Sequence, residues 1–436
     1  MKKIIAILLV VSTIFGLCVG LTGCGKDDPS ATDPINPTTS TTQTPSFKDV
    51  KITNEIISDF NLSLMKHLDS RIPTGENYMV SPLSLRYALA LATIGADGET
   101  QDGLLKATGF KTIDEYVSWC NSINEMVKQF DKTLQLDVDE FNKTVGKYNE
   151  NAIPPSRKLL VANSIWHNKE YGKLKDEYLN NTKNLFGAEA NNLPISEFKP
   201  KINKWVSEKT NNLIPELLTS DPDNDLNTIL INTLYLKSAW SKSFYEHQTK
   251  ELDFTTYDNK KVKKEFMNQV DSFKYYEDKD LQVVILPLDG NINVAFAIGD
   301  TKNLAKALET ANFEMVNVTI PKFEIETTLQ GDIICDYMKE NGAELAFSKT
   351  GNADFSPMIE DFEIYIADII QKTKIKVDEE GLEAAAVTAI MMDNATSISP
   401  SKPQPKIFKA DKPFSFYIYS NDELPKELLF YGEMNK

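Results

Sequence analysis

The strongest constraint on what this chain can fold into lies near its C-terminal end. Lys374-Ile375-Lys376-Val377 alternates charged and β-branched residues, the pattern of a half-buried strand. The alternation stops at Asp378-Glu379-Glu380-Gly381. Leu382-Glu383-Ala384-Ala385-Ala386-Val387-Thr388-Ala389 follows, and the chain then runs through Ser and Pro to Pro405. A stretch this long without an element of its own is, inside a compact domain, functional or disordered. Flexible linkers are rich in Gly and Ser, whereas here one glycine stands at the start and small, sheet-compatible residues follow. As a strand, Leu382, Ala384, Ala386 and Thr388 face one side, and Glu383, Ala385 and Val387 the other. One face is small and apolar and the other tolerates a charge. The segment reads as a strand held outside a sheet as a loop, narrow enough to slip between strands already packed.

The remaining sequence bounds what such a device serves. The 436 residues suffice for one large domain or two ordinary ones, and 41% hydrophobic content suits a globular core. A formal charge of −16 argues against nucleic acid as a partner, because phosphate binding needs clustered Lys and Arg. Met1-Lys2-Lys3 followed by the apolar run Ile4 to Val19 is a secretory signal. Its end, Leu21-Thr22-Gly23-Cys24, resembles a bacterial lipobox. That resemblance implies removal of residues 1–23 and lipidation of Cys24, and two or more acyl chains anchor stably where one is marginal. Lys26 to about Ser46 is Asp, Pro, Ser and Thr, so residues 24–46 form a disordered tether and 47–436 the folded part. The expected location is the cell membrane of a bacterium, lipid-anchored on the extracellular face. Cys120 and Cys335, far apart in sequence, read as buried small hydrophobes, with a disulfide as the alternative.

Nothing in the chain announces turnover. His67, His167 and His247 are its three histidines; none adjoins a Gly-x-Ser-x-Gly elbow, and each reads as a surface or boundary residue. There is no His-Glu-x-x-His, no Walker loop and no metal spacing, so neither enzyme activity nor a cofactor or metal is expected.

Short motifs recur in order along the folded part. Apolar spacing predicts a helix over 52–68 and a helical stretch over 111–136. Residues 137–156, acidic and then Asn- and Pro-containing, read as a surface insertion. Asn77-Tyr78-Met79-Val80-Ser81-Pro82-Leu83-Ser84 is a short strand leading into a helix that Pro82 opens. Leu159 to Trp166 reads as a strand, 199–209 as a helix, and Thr228 to Leu236 as a buried central strand. Asp289-Gly290-Asn291 turns a hairpin between 282–288 and 292–298, and Val318 to Ile325 reads as one strand around Pro321-Lys322. Asn232-Thr233-Leu234-Tyr235-Leu236-Lys237-Ser238-Ala239-Trp240, Asp411-Lys412-Pro413-Phe414 and Leu428-Leu429-Phe430-Tyr431-Gly432 complete the set.

These motifs, together with Asp378-Glu379-Glu380-Gly381-Leu382-Glu383-Ala384-Ala385-Ala386, closely resemble the serpins from about residue 50 to 436. The resemblance implies an α+β serpin fold: a large central mixed sheet, two further sheets, eight or nine helices and an exposed reactive-centre loop over about 379–405. It also implies inhibition of a serine endopeptidase by a suicide-substrate route, in which loop insertion into the main sheet traps the acyl complex. By the family's spacing the reactive bond is Ala395-Thr396, and the loop hinge is Glu379, Glu380, Gly381, Leu382, Glu383, Ala384, Ala385 and Ala386. Ser81, Asn232, Trp240, Lys322 and Gln371 match positions where the sheet opens, with Glu379 and Lys322 as an ion pair beside Trp240. A small residue at the cut implies an elastase- or subtilisin-like target, met by a monomer. Two positions depart from the family pattern: Gln371 replaces a usual histidine, and Leu382 a usual Thr or Ser. The leucine keeps open a non-inhibitory serpin that is cleaved as a substrate or acts as a binding protein.

Overall fold

A computed structural model describes residues 47–51, 55–149, 152–350, 352–360, 362–382, 404–421 and 423–436. Two hydrogen-bonded sheets carry the architecture. The six-stranded sheet runs, edge to edge, through Phe323–Leu329, Ile366–Val377, Gly381–Leu382, Thr228–Ala239, Lys158–Asn168 and Glu189–Leu193. The nine-stranded sheet runs Tyr78–Val80, Leu428–Met434, Phe414–Ser420, Ile292–Gly299, Leu281–Leu288, Lys261–Glu277, Asn312–Pro321 and Lys406–Lys409. Its ninth strand, Lys250–Thr255, pairs with the start of Lys261–Glu277. That long strand reaches Leu281–Leu288 at its other end, so the two further sheets expected from sequence are joined into one ladder.

Nine α-helices lie among the described residues, one of them the single turn Val145–Tyr148. Helix Pro82–Ile94 is buried along nearly its whole length, with Pro82 in its first turn and the Ser81 hydroxyl accepting from the Ser84 amide at 3.2 Å. The main core fills the space between the sheets and this helix. A smaller core lies on the other face of the six-stranded sheet, where Phe198, Ile202, Trp205 and Val206 of helix Phe198–Lys209 pack on Trp166, Ile229, Ile231 and Ile370.

Three expectations need correction. The helix starting at Ile113 does not stop near 136 but runs to Lys143, so the acidic stretch from Asp137 begins as helix. There the Asp137 carboxylate takes a 2.6 Å ion pair from Arg157, which gives the extension a fixed point. The strand expected over Val318 to Ile325 is two strands, Asn312–Pro321 in one sheet and Phe323–Leu329 in the other, broken at Lys322. Lys322 thus stands at the crossing between the sheets. His67 and His167 are buried rather than peripheral: the His67 ring meets the Ile333 carbonyl at 2.8 Å, and His167 Nδ1 lies 2.8 Å from the Thr228 hydroxyl. Cys120 and Cys335 are both free and buried.

Candidate functional site: the seam and the hinge

The site is built on two strands of the six-stranded sheet that run side by side in parallel. From Ile366 to Gln371 one strand pairs with Thr228 to Asn232 of the other. Past that point they part, and the gap is filled again only at its far end. There the chain leaves Val377, turns through Asp378, Glu379 and Glu380, and comes back as Gly381–Leu382 between the two strands. Leu382 pairs antiparallel with both Val377 and Ser238, and Gly381 with Ala239. Leu382 is 1% exposed. The hinge is therefore already seated in the sheet through Gly381 and Leu382, instead of standing wholly outside it, and the leucine that departs from the family pattern fills an apolar place.

Glycine is what admits this approach. Gly381 has φ +152, and a Cβ there would lie 2.3 Å from the Ser238 carbonyl oxygen and 2.7 Å from Ala239 Cα. The turn before it is fastened on every side. Trp240 Nε1–H donates to the Asp378 carbonyl at 2.9 Å, and the Trp240 and Phe244 amides donate to the Glu380 and Glu379 carbonyls at 2.9 Å. Asp378 Oδ1 accepts from the Glu380 amide at 3.1 Å, in an Asx-type turn. The Glu379 carboxylate accepts from the Thr249 hydroxyl at 2.7 Å and pairs with Lys322 at 3.0 Å. Burial disfavours its charge, but the Thr249 bond and Lys322 outweigh burial and hold the carboxyl below its ordinary range. Lys322 is likewise disfavoured by burial, yet Glu379 raises it above the ordinary lysine value.

The centre of the seam is closed by neutral groups. The Gln371 side-chain oxygen accepts from the Ser81 amide at 2.8 Å. Its Nε2 donates to the Ser81 carbonyl at 3.0 Å and to Asn232 Oδ1 at 2.9 Å. The Ser84 hydroxyl donates to the same Asn232 oxygen at 2.9 Å, and the Thr373 hydroxyl to the Met79 carbonyl at 2.9 Å. Three buried polar atoms nearby have no hydrogen-bond partner: Asn232 Nδ2, Thr233 Oγ1 and Asn163 Oδ1.

Each sequence-expected residue at the opening falls into one of two clusters. Ser81, Asn232 and Gln371 meet at the seam centre; Trp240, Lys322, Glu379 and Glu380 meet at the hinge. Glu383, Ala384, Ala385, Ala386, Ala395, Thr396 and Cys24 lie outside the described residues. Sequence reasoning missed Thr249, Phe244 and Asp378 as partners of the hinge, and Ser84 as a partner of Asn232. The second serine of Ser81-Pro82-Leu83-Ser84 was a signal for the last; Thr249 carried none.

The fold thus presents a seam between two parallel strands, the first two residues of a returning strand seated at one end of it, and a lock of neutral hydrogen bonds below. A family profile described as serpin (serine protease inhibitor) matches residues 55–436, and the chain belongs to that family. The leukocyte elastase inhibitor of Equus caballus is 27% identical over 403 residues, covering 86% of this chain and 97% of that one. A serpin-like protein of Thermococcus kodakarensis is 27% identical over 462 residues, covering 100% of this chain and 99% of its own. Among solved structures, the thermophilic serpin tengpin in its native state superposes with TM-score 0.69 at 24% identity, over 88% of this chain and 96% of that one. Thyroxine-binding globulin complexed with thyroxine superposes at 0.68 and 21%, over 87% and 97%. Those two likenesses speak for the fold alone.

Proposed function

We propose that the chain inhibits serine endopeptidases as a suicide substrate, with cleavage at Ala395-Thr396 and insertion of the freed loop into the seam. The observation that carries this reading is the register of the hinge. Leu382 opposite Val377 and Ser238 fixes where every later residue would land if the strand continued. Ala384 would meet Ile375 and Leu236, Ala386 would meet Thr373 and Leu234, and Thr388 would meet Gln371 and Asn232, all facing the main core. A threonine thus reaches the polar centre of the seam, where a hydroxyl can bond to the unpartnered Asn232 amide. On the other face Glu383 would lie between Lys376 and Lys237, and Ala389 between Ile370 and Ile231. The strand would end near Asp393, where its neighbours end, and Ala395 would hang just beyond the sheet.

The energetics favour this exchange. One parallel contact would be replaced by two antiparallel ones. On the order of ten new backbone hydrogen bonds contribute about 0.5–1.5 kcal/mol each. A protease acylated on Ala395 would be carried the length of the sheet. Displacing its catalytic groups by ~1 Å costs ~10²-fold in rate, so deacylation stalls. Ala395 suits proteases with shallow primary pockets, elastase- or subtilisin-like. The lipobox-like Leu21-Thr22-Gly23-Cys24 supports the reading that the inhibitor acts on the outer face of a bacterial membrane, held by lipid on Cys24 through the 24–46 tether after removal of residues 1–23. Labelled palmitate should enter the chain in cells and be lost in Cys24→Ala.

The decisive experiment mixes the purified protein with an elastase and with a subtilisin, on a denaturing gel with mass spectrometry of the cut. A band at the summed mass, cleaved after Ala395, is expected. Cleaved chain beside fully active protease would instead establish the non-inhibitory reading.

A further inference from the structure

Away from the seam, a recess of about 430 Å³ opens between the approach to helix Asp59–Arg71 and the start of helix Ile113–Lys143. Its floor is Arg86, which leaves helix Pro82–Ile94 one short step beyond Ser84. Arg86 is 9% exposed. Its guanidinium carbon lies 5.0, 4.5 and 4.8 Å from the ring centres of Phe60, Phe110 and Trp119. Three rings around one cation offset part of its dehydration, but they do not replace in-plane acceptors for its five N–H donors. Arg86 Nε is buried and has no hydrogen-bond partner. The neighbouring carboxylate leaves that donor unmade: Glu427, 3% exposed, also lines the recess and is electrostatically coupled to Arg86, but its Oε1 is taken by Trp119, whose Nε1–H donates to it at 2.6 Å. A buried donor left unmade is costly, and an oxygen entering the recess would relieve it.

The mouth selects for a second property. Glu55, Asp59 and Glu115 line it against one cation, Lys51. A simple anion reaching for Arg86 meets that acidic rim, and a simple cation meets Arg86. A molecule that carries a carboxylate at one end, an ammonium beside it and an apolar or flat group between satisfies all three parts. We propose that this recess binds a small zwitterion, an α-amino acid with an aromatic or bulky apolar side chain. Its carboxylate would rest on Arg86, its side chain over the outer edges of Phe60 and Phe110, whose faces toward Arg86 are taken, and its ammonium toward the acidic rim.

The test is calorimetric titration of the full chain with L-phenylalanine, phenylacetate and phenethylamine, with tryptophan fluorescence as a second readout because Trp119 lines the site. Saturable one-to-one binding of L-phenylalanine is expected, with phenylacetate and phenethylamine at least tenfold weaker. Arg86→Met should lower the affinity for L-phenylalanine at least tenfold. If that variant does not fold, the rim variant Glu55→Gln/Asp59→Asn decides: it should weaken L-phenylalanine severalfold and leave phenylacetate no weaker. No saturable binding of L-phenylalanine, equal binding of phenylacetate, or affinity unchanged in the variant tested overturns the proposal.

Discussion

The hinge end of the seam and its centre are closed by different chemistry. At the hinge, a carboxylate and a lysine meet beside a tryptophan, and the two residues Gly381–Leu382 already sit between the strands. At the centre, an amide, an asparagine and two serines close the gap with no ionisable group among them. Charge guards the end that is open, and neutral hydrogen bonds guard the part that is shut. Under the proposed function the difference separates two jobs: the hinge would set where and in which register a strand begins, and the centre how far it advances before cleavage.

The comparison can be broken at either place. The largest effect is expected from Gly381→Val. A side chain there collides with the Ser238 carbonyl oxygen and Ala239, so the strand should not be able to begin. Covalent complex on a denaturing gel should fall at least tenfold, with cleavage of the chain retained. Complex formed at the normal yield would show that the register seen at the hinge is not the one used.

Cleavage of the unaltered chain in its loop should raise its thermal midpoint by about 10 °C. The basis is about ten added hydrogen bonds at about 1 kcal/mol each, with about 1 °C per kcal/mol for a domain this large. Calorimetry of chain clipped by a non-target protease measures this, and an unchanged midpoint would mean that the seam stays shut.

Gln371→Ala removes three hydrogen bonds at once and leaves the Ser81 amide buried without an acceptor. A loss of about 3 kcal/mol is expected in denaturant unfolding. Gln371→His sharpens the contrast, because it alone would introduce a titratable group at the centre and make the rate of loop insertion depend on pH between about 5 and 7.

Beyond the shut end of the seam, the neighbouring strand Lys158–Asn168 has its own dependence. Burial pushes the His167 imidazole down to about 4 from an ordinary value of 6.5, against the opposing pull of the Tyr171 and Gly172 backbone carbonyls, which favour a protonated ring. Its folded form prefers the neutral ring. The associated stability is fully present above pH 6.5 and lost as pH falls toward 4, about 3 kcal/mol in all. His167→Gln should flatten that part of the curve.

The smallest effect is expected from Glu379→Gln, about 1 kcal/mol and weaker still at high salt, because Lys322 is partly open to solvent. The Glu379 contribution in the unaltered chain is present above the ordinary glutamate value of 4.5 and fades as pH falls below it.

Much of this was legible in the chain. Alternation in 374–377, the apolar run from Thr228 and the Ser-Pro helix start are local patterns, and local patterns are what sequence shows. Ser81, Asn232 and Gln371 were legible as one cluster only through resemblance, since their meeting joins three distant segments. Thr249 stayed hidden because nothing near it marks the carboxylate that the fold brings to it. The recurrence of apolar residues at Val318, Ile320, Phe323 and Ile325 concealed the break at Lys322, because a chain that changes sheets keeps burying alternate side chains. The early seating of Leu382 was hidden for a related reason: a bulky residue looks like an obstacle until the pocket it fills is seen.

The parallel contact at the seam also bears on how the molecule comes to be. Gln371 and Asn232 are 139 positions apart, whereas Leu382 finds Val377 across a single turn. The contact that keeps the seam shut is thus slow to search for, and the one that begins to fill it is quick. Synthesis from the N-terminus gives the slow contact a head start, because Ile366–Val377 emerges before the loop that competes for its edge. A chain released from denaturant has every segment at hand simultaneously. Its refolded product is expected to include loop-filled molecules that are more stable than the native form and inert toward proteases.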